Sequence, residues 1–295
     1  MLAKLTKYEL KSTVNTFLLI YGAVLVLAVI NRIFYSFDFV TASVISTSAG
    51  TGGVENAHNY ALIAGGIFTG IFTTLYVLTT VAMFVAVIIS VITRFYKNMF
   101  GSEGYLMHTL PVKPWEHIVS KMLASSVWML GSVIMTGVSI AVLLSQPEAF
   151  RGIAYIGGEF IGFVQRSTIS WTPVAVNTAI MFLMAIIGWQ LPIYASICIG
   201  QLWGKHRVLG AFIAYFISNI ATQIVTSLAV VAPTVSFTRM ATETQAAYYD
   251  PEMFIKSAFN YYNTVMLISI IITLAFMAAY FIISNYIIKN KLDLE

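Results

Sequence analysis

Thr264–Ile288 reads TVMLISIIITLAFMAAYFIISNYII, 25 residues without one charged side chain. At 1.5 Å per residue this makes about 37 Å of helix, enough to cross ~30 Å of hydrocarbon. The run is continuously apolar and does not alternate with period two. That predicts a helix and not a barrel strand, since in lipid the backbone must pair within the helix or around a closed barrel. Five more runs of this kind precede it, near Thr16–Ile33, Tyr60–Val91, Val119–Leu144, Val176–Leu202 and Val208–Ala232. The expected fold class is therefore an all-α membrane protein with six transmembrane helices. The six spans form a single transmembrane domain over residues 1–295, with no room for a nucleotide-binding domain.

Composition agrees with this reading. Of the 295 residues 59% are hydrophobic and only 9% are charged, whereas a soluble domain carries about a quarter charged. Mean hydropathy is +0.84. These values exclude a soluble enzyme, a disordered chain and a nucleic-acid binder. Cys198 is the only cysteine, so the chain has no internal disulfide. His58, His108, His117 and His206 lack metal-ligand spacing, and no metal site is expected.

Orientation follows from the basic residues. With the N-terminus inside, 11 of the 16 Lys and Arg fall in inner segments, among them Lys4, Lys7, Lys11, Arg94, Lys97, Lys121, Lys205 and Arg207. Arg32, Arg151, Arg166, Arg239 and Lys256 fall outside, with seven of the 12 acids. Both termini are expected to be cytoplasmic. The first span ends in Ile30-Asn31-Arg32 and has no small-residue cleavage site, which argues against a removed signal peptide.

The second run is over-long at about 48 Å for its ~32 residues. It must tilt, kink near Gly65, Gly66 and Gly70, or project beyond the bilayer. Pro192 predicts a kink in the fourth. Residues 1–12 read as an interfacial helix with Leu2, Leu5, Tyr8 and Leu10 on one face and Lys4, Lys7 and Lys11 toward water and headgroups. Outside, Asp38–Asn59 reads as a Ser/Thr/Gly-rich mobile loop. Gln146–Pro173 reads as a short helix or re-entrant element. In Pro233–Asn263, Asp250-Pro251-Glu252 signals a helix start, amid aromatic residues suited to a headgroup belt.

No Asp, Glu, Lys, Arg or His sits in the middle of a span, which argues against a proton-coupled pump. Gly204-Lys205-His206 lacks the spacing and hydroxyl of a phosphate-binding loop. Ser120 and Lys121 are adjacent on a helix and do not make a dyad. Uncharged polar groups remain. Asn219, Thr222, Gln223 and Thr226 fall at i, i+3, i+4 and i+7 of the fifth span, and Asn177, Gln190 and Tyr194 lie in the fourth. Gln190 and the fifth-span stripe are candidates either for bridging helices or for lining a translocation path. Gly66-x-x-x-Gly70 and Gly200-x-x-x-Gly204 permit close helix approach.

Arg94–Lys121, RFYKNMFGSEGYLMHTLPVKPWEHIVSK, is the longest inner loop. Ser102 can cap a short helix from Glu103 to Thr109, Pro111 stops it, and Pro114 suits the first position of the next helix. Its apolar Tyr105, Leu106, Met107 and Leu110 either fold back on the chain or meet a protein partner. With an interfacial N-terminal helix and six spans, Phe100–Leu106 and Thr109–Val112 resemble the cytoplasmic loop of the permease subunits of bacterial type-2 ATP-binding-cassette exporters.

The resemblance implies a multi-pass protein of the bacterial cell membrane that is itself no enzyme and holds no cofactor. ATP and Mg would be bound by a separate ATPase subunit. Glu103, Tyr105, Leu106, Met107 and Leu110 would form the coupling helix that docks on that ATPase. A second permease copy, identical or related, would complete the path, and a peptide, lipid-like or drug-like substrate is expected. The rival readings are a ligand-sensing or scaffold component and, less well supported, a secondary transporter or channel.

Overall fold

The computed structural model describes residues 2–48, 55–101, 112–145, 147–166, 170–243 and 251–290, and every regular element among them is helical. In chain order these are α1 (Leu2–Lys11), α2 (Val14–Ser48), α3 (Glu55–Phe100), α4 (Pro114–Leu143), α5 (Pro147–Arg166), α6 (Thr172–Gly188), α7 (Leu191–Gln201), a 3-10 turn (Gly204–His206), α8 (Arg207–Glu243) and α9 (Pro251–Asn290). Six stretches are long and apolar enough to cross a membrane: Val14–Ser36, Gly65–Phe100, Pro114–Leu143, Thr172–Gln201, Gly204–Thr242 and Met253–Asn290. The chain is thus a multi-pass helical membrane protein.

Prolines set several boundaries. Pro114 opens α4, where the Lys113 N–H donates to Glu116 Oε2 at 3.3 Å, half of a capping box. Pro251 opens α9, as Asp250-Pro251-Glu252 foretold, although Asp250 itself lies outside the described residues. Pro192 divides the fourth span into α6 and α7. It has no N–H to offer the Gly188 carbonyl one turn back.

Elsewhere the helices outrun the expectation. Asp38–Asn59 is not a loop throughout, because α2 continues to Ser48 and α3 begins at Glu55. No Gly or Pro interrupts residues 38–48, so nothing local stops the helix. α3 runs uninterrupted through Gly65, Gly66 and Gly70, and its 46 residues extend about 69 Å, well past the hydrocarbon. α8 carries Pro233 inside and reaches Glu243. Gln146–Pro173 holds the 20-residue amphipathic α5.

α1 is amphipathic, with Lys4, Lys7 and Lys11 exposed. Its inward face differs from the expected one. Tyr8 is 71% exposed, and Glu9 is buried in its place. Leu2, Leu5 and Glu9 share the inward side, whereas Tyr8 keeps the lysines' company, as suits an interfacial aromatic.

The residues fall into two compact units, whose boundaries lie within α1, α3, α4 and α5. The unit of residues 7–90 and 127–159 is tied by hydroxyl and amide groups. Trp128 of α4 donates from Nε1 to Thr13 Oγ1 at 2.8 Å and stacks on Phe17 at 4.4 Å. Tyr21 donates to the Trp128 carbonyl at 3.0 Å and lies 3.1 Å from Ser132 Oγ. Tyr76 meets Ser139 at 2.7 Å, and Thr73 donates to Asn31 Oδ1 at 3.1 Å.

The unit of residues 1–6, 91–126 and 160–295 holds the principal apolar core. Phe95, Met99 and Ile118 pack with Leu191, Tyr194, Ile197, Cys198, Ile287 and Ile288. Phe95 stacks on Tyr194 with ring centres 4.1 Å apart. α9 packs against α6, α7 and α8, and α7 packs closely on α8. The α7–α8 approach depends on Gly200: a Cβ there would lie 2.6 Å from Ala211 N and from the Arg207 carbonyl. Cys198, the sole thiol, is buried.

Candidate functional site

Gln190 is the best-connected polar side chain of the core. It sits at the break between α6 and α7 with φ −85° and ψ −18°, and its carbonyl accepts from Tyr194 N–H at 3.0 Å. The break is gentle because Trp189 and Gln190 both stay in the right-handed region. Close packing keeps the segment in place, since a Cβ at Gly188 would overlap Met277 of α9.

The side chain of Gln190 is 0% exposed and fully used. Nε2 faces three acceptors: the Met122 carbonyl at 2.8 Å, the Ile187 carbonyl at 2.9 Å and Ser126 Oγ at 3.1 Å. Oε1 accepts from Ser125 Oγ at 2.6 Å. Ser125 also lies 2.6 Å from the Lys121 carbonyl and 3.5 Å from Tyr194 Oη. Both N–H groups of the amide thus have acceptors within the chain, and its oxygen has one donor. These bonds tie α4 to the α6–α7 break through Gln190. A buried amide is tolerated only when paired in this way.

The α8 stripe divides. Thr222 is half-buried and lies 2.8 Å from Tyr280 Oη of α9, which also donates to the Ser218 carbonyl at 3.2 Å. Thr226 is half-buried beside it in register. Asn219 and Gln223 are exposed. Asn219 Nδ2 donates only to the Tyr215 carbonyl of its own helix at 2.8 Å. The four residues therefore share a stripe but not an environment. Asn177, a further amide of the fourth span, is buried and bonds Asn263 of α9.

Glu103, Tyr105, Leu106, Met107 and Leu110, the expected coupling residues, lie outside the described residues. So does the short helix expected from Glu103 to Thr109. The described chain ends at Gly101 on one side of that loop and resumes at Val112 on the other.

Two buried groups escaped the sequence reading. His117 and Lys121 are 1% and 4% exposed, and neither is free of partners. Lys121 was expected on the helix that Pro114 opens, and it lies about 10 Å inside α4, buried. His117, Lys121 and Ser125 fall at i, i+4 and i+8, so they share one face of the helix that Pro114 opens. That periodicity was the available signal. Asn31, 0% exposed in α2, was a lone amide in an apolar run and is held by Thr73. Among the described residues no cluster of His, Cys, Asp or Glu could hold a metal ion. No family model, no curated protein and no solved structure matches this chain.

Proposed function

We propose that this chain is the membrane-spanning subunit of a type-2 ATP-binding-cassette exporter, driven by a separate ATPase. The observation that carries the reading is the layout: a distinct amphipathic helix, α1, precedes six membrane-length helices. The Ser12-Thr13 step joins α1 to α2, which is the arrangement expected of an interfacial connecting helix. The Phe100–Val112 motif adds the resemblance, and the inward bias of Lys and Arg puts that loop and both termini in the cytoplasm.

On this reading ATP and Mg stay with the partner, and the Glu103–Leu110 segment transmits its closure. Two permease subunits enclose the path. The exposed Asn219 and Gln223 of α8 suit a surface that a second permease or an aqueous path covers, because lipid offers such amides no partner. Gln190 serves as a structural bridge near the end that receives the push. The substrate class is a peptide, lipid-like or drug-like molecule, and the site is a bacterial cell membrane.

The test is affinity purification of the full chain from its native membranes, followed by reconstitution. An ATPase subunit should copurify, and substrate flux should require ATP. Leu106→Glu should abolish ATP-driven flux while leaving insertion intact. Failure to recruit any ATPase, with ligand binding but no flux, would instead identify a sensor or scaffold. Flux from the chain alone without ATP would identify a channel or secondary transporter.

A further inference from the structure

The turn between α7 and α8 bears three consecutive basic side chains, Lys205, His206 and Arg207. They line an open depression of about 660 Å³ with Gly204, Val208, Leu209 and Phe212. Lys205 and His206 are exposed, and Arg207 is half-buried.

The turn is braced. Trp203 N–H donates to the Gly200 carbonyl at 3.1 Å, and His206 N–H donates to the Trp203 carbonyl at 3.1 Å. A Cβ on Gly210 would lie 3.0 Å from Trp203, so that ring rests on the α8 backbone. Gly200 lets α8 close against α7 directly below. Lys205 and His206, both exposed, therefore extend from a braced turn.

The apolar side of the depression, Val208 and Phe212, continues along α8 to Phe216 and names the occupant. Val208, Phe212 and Phe216 recur at i, i+4 and i+8 and are well exposed, with the Phe212 and Phe216 rings 6.1 Å apart. They begin where the cations end and run along a candidate span of which only 6% of the most apolar window is buried. A soluble anion would use the cations and leave this track empty. A molecule with an anionic head and an aliphatic tail uses both.

We infer that the Gly204–Phe212 depression is a binding site for one anionic phospholipid. Its phosphate lies against Lys205, His206 and Arg207, and an acyl chain lies along Val208, Phe212 and Phe216. Basic pockets beside membrane helices recognise anionic headgroups by this combination. The inference holds for either leaflet and does not depend on transport.

The test is native mass spectrometry of the full chain released from micelles containing equal phosphatidylglycerol and phosphatidylcholine. Wild type should retain one phosphatidylglycerol about tenfold over phosphatidylcholine. A Lys205→Gln, His206→Gln, Arg207→Gln variant should lose that preference. Lys205→Gln alone, at an exposed position, should reduce it about threefold and guards against misfolding of the triple variant. Phe212→Ser should weaken retention of both lipids. No preference in wild type, or a preference unchanged in both charge variants, overturns the assignment. Inorganic phosphate that displaces the lipid at millimolar concentration would mark a site for free phosphate and overturn it too.

Discussion

α7 and α8 adjoin in sequence and are both apolar, yet they solve opposite problems. Eight of the 11 residues of α7 are buried, including Tyr194, Cys198 and Gly200. α8 exposes Val208, Phe212, Phe216, Ile220 and Leu228 and buries little. Hydropathy does not separate them, because lipid and protein interior are equally apolar. What separates them is how close a neighbour comes: α7 meets α8 at Gly200 and packs Leu191, Tyr194 and Ile197 into the core, whereas α8 turns most of its bulky aliphatic and aromatic residues outward. Membrane helices associate through close backbone approach and paired polar groups, with little hydrophobic drive between them.

The largest expected effect comes from thickening α7. Gly200→Ala forces a methyl group against backbone atoms of α8, which cannot rotate away. A loss of about 3 kcal/mol is expected, read as a lower unfolding midpoint in detergent. Wild-type stability would break the contrast at its main contact. Next is Gln190→Leu, which removes the bridge and leaves the Met122 and Ile187 carbonyls without its donors. A loss of about 2 kcal/mol should appear in the same assay.

Smaller effects lie on α8. Tyr280→Phe removes the hydroxyl shared by Thr222 and the Ser218 carbonyl. About 0.6 kcal/mol is expected, the usual size of an interhelical bond in membranes. A double-mutant cycle with Thr222→Val should show most of it as coupling. Smallest is Gln223→Leu, which should change the stability of the isolated chain by less than about 0.5 kcal/mol. A loss above 1 kcal/mol would show that Gln223 is held within the chain, contrary to its exposure.

Spans were legible because continuous apolar length is a one-dimensional property. Pro114, Pro192 and Pro251 marked helix boundaries because proline acts through its own missing N–H. The extension of α2 across Asp38–Ser48 was hidden, since Ser and Thr enrichment resembles a loop while no residue there forbids helix. The two Gly-x-x-x-Gly patterns show the limit most clearly. Gly200 is pressed against α8, whereas Gly66 and Gly70 have nothing within 4 Å of a notional Cβ. Spacing states that a close approach is possible, and only a partner helix makes it happen. Gln190 was singled out in sequence, but its four partners come from α4 and the α6–α7 break. No local signal distinguishes such a bridge from a pore-lining amide.

The burial of Cys198 makes the protein its own reagent for accessibility mapping. Its only thiol lies among Phe95, Tyr194 and Ile287 in the core, out of reach of a bulky maleimide. A cysteine introduced at Asn219, Gln223 or Val208 is then the single reactive thiol in an otherwise native chain. Labelling from water reports hydration at that position and labelling by a lipid-soluble probe reports bilayer contact, with no cysteine-free background to engineer first.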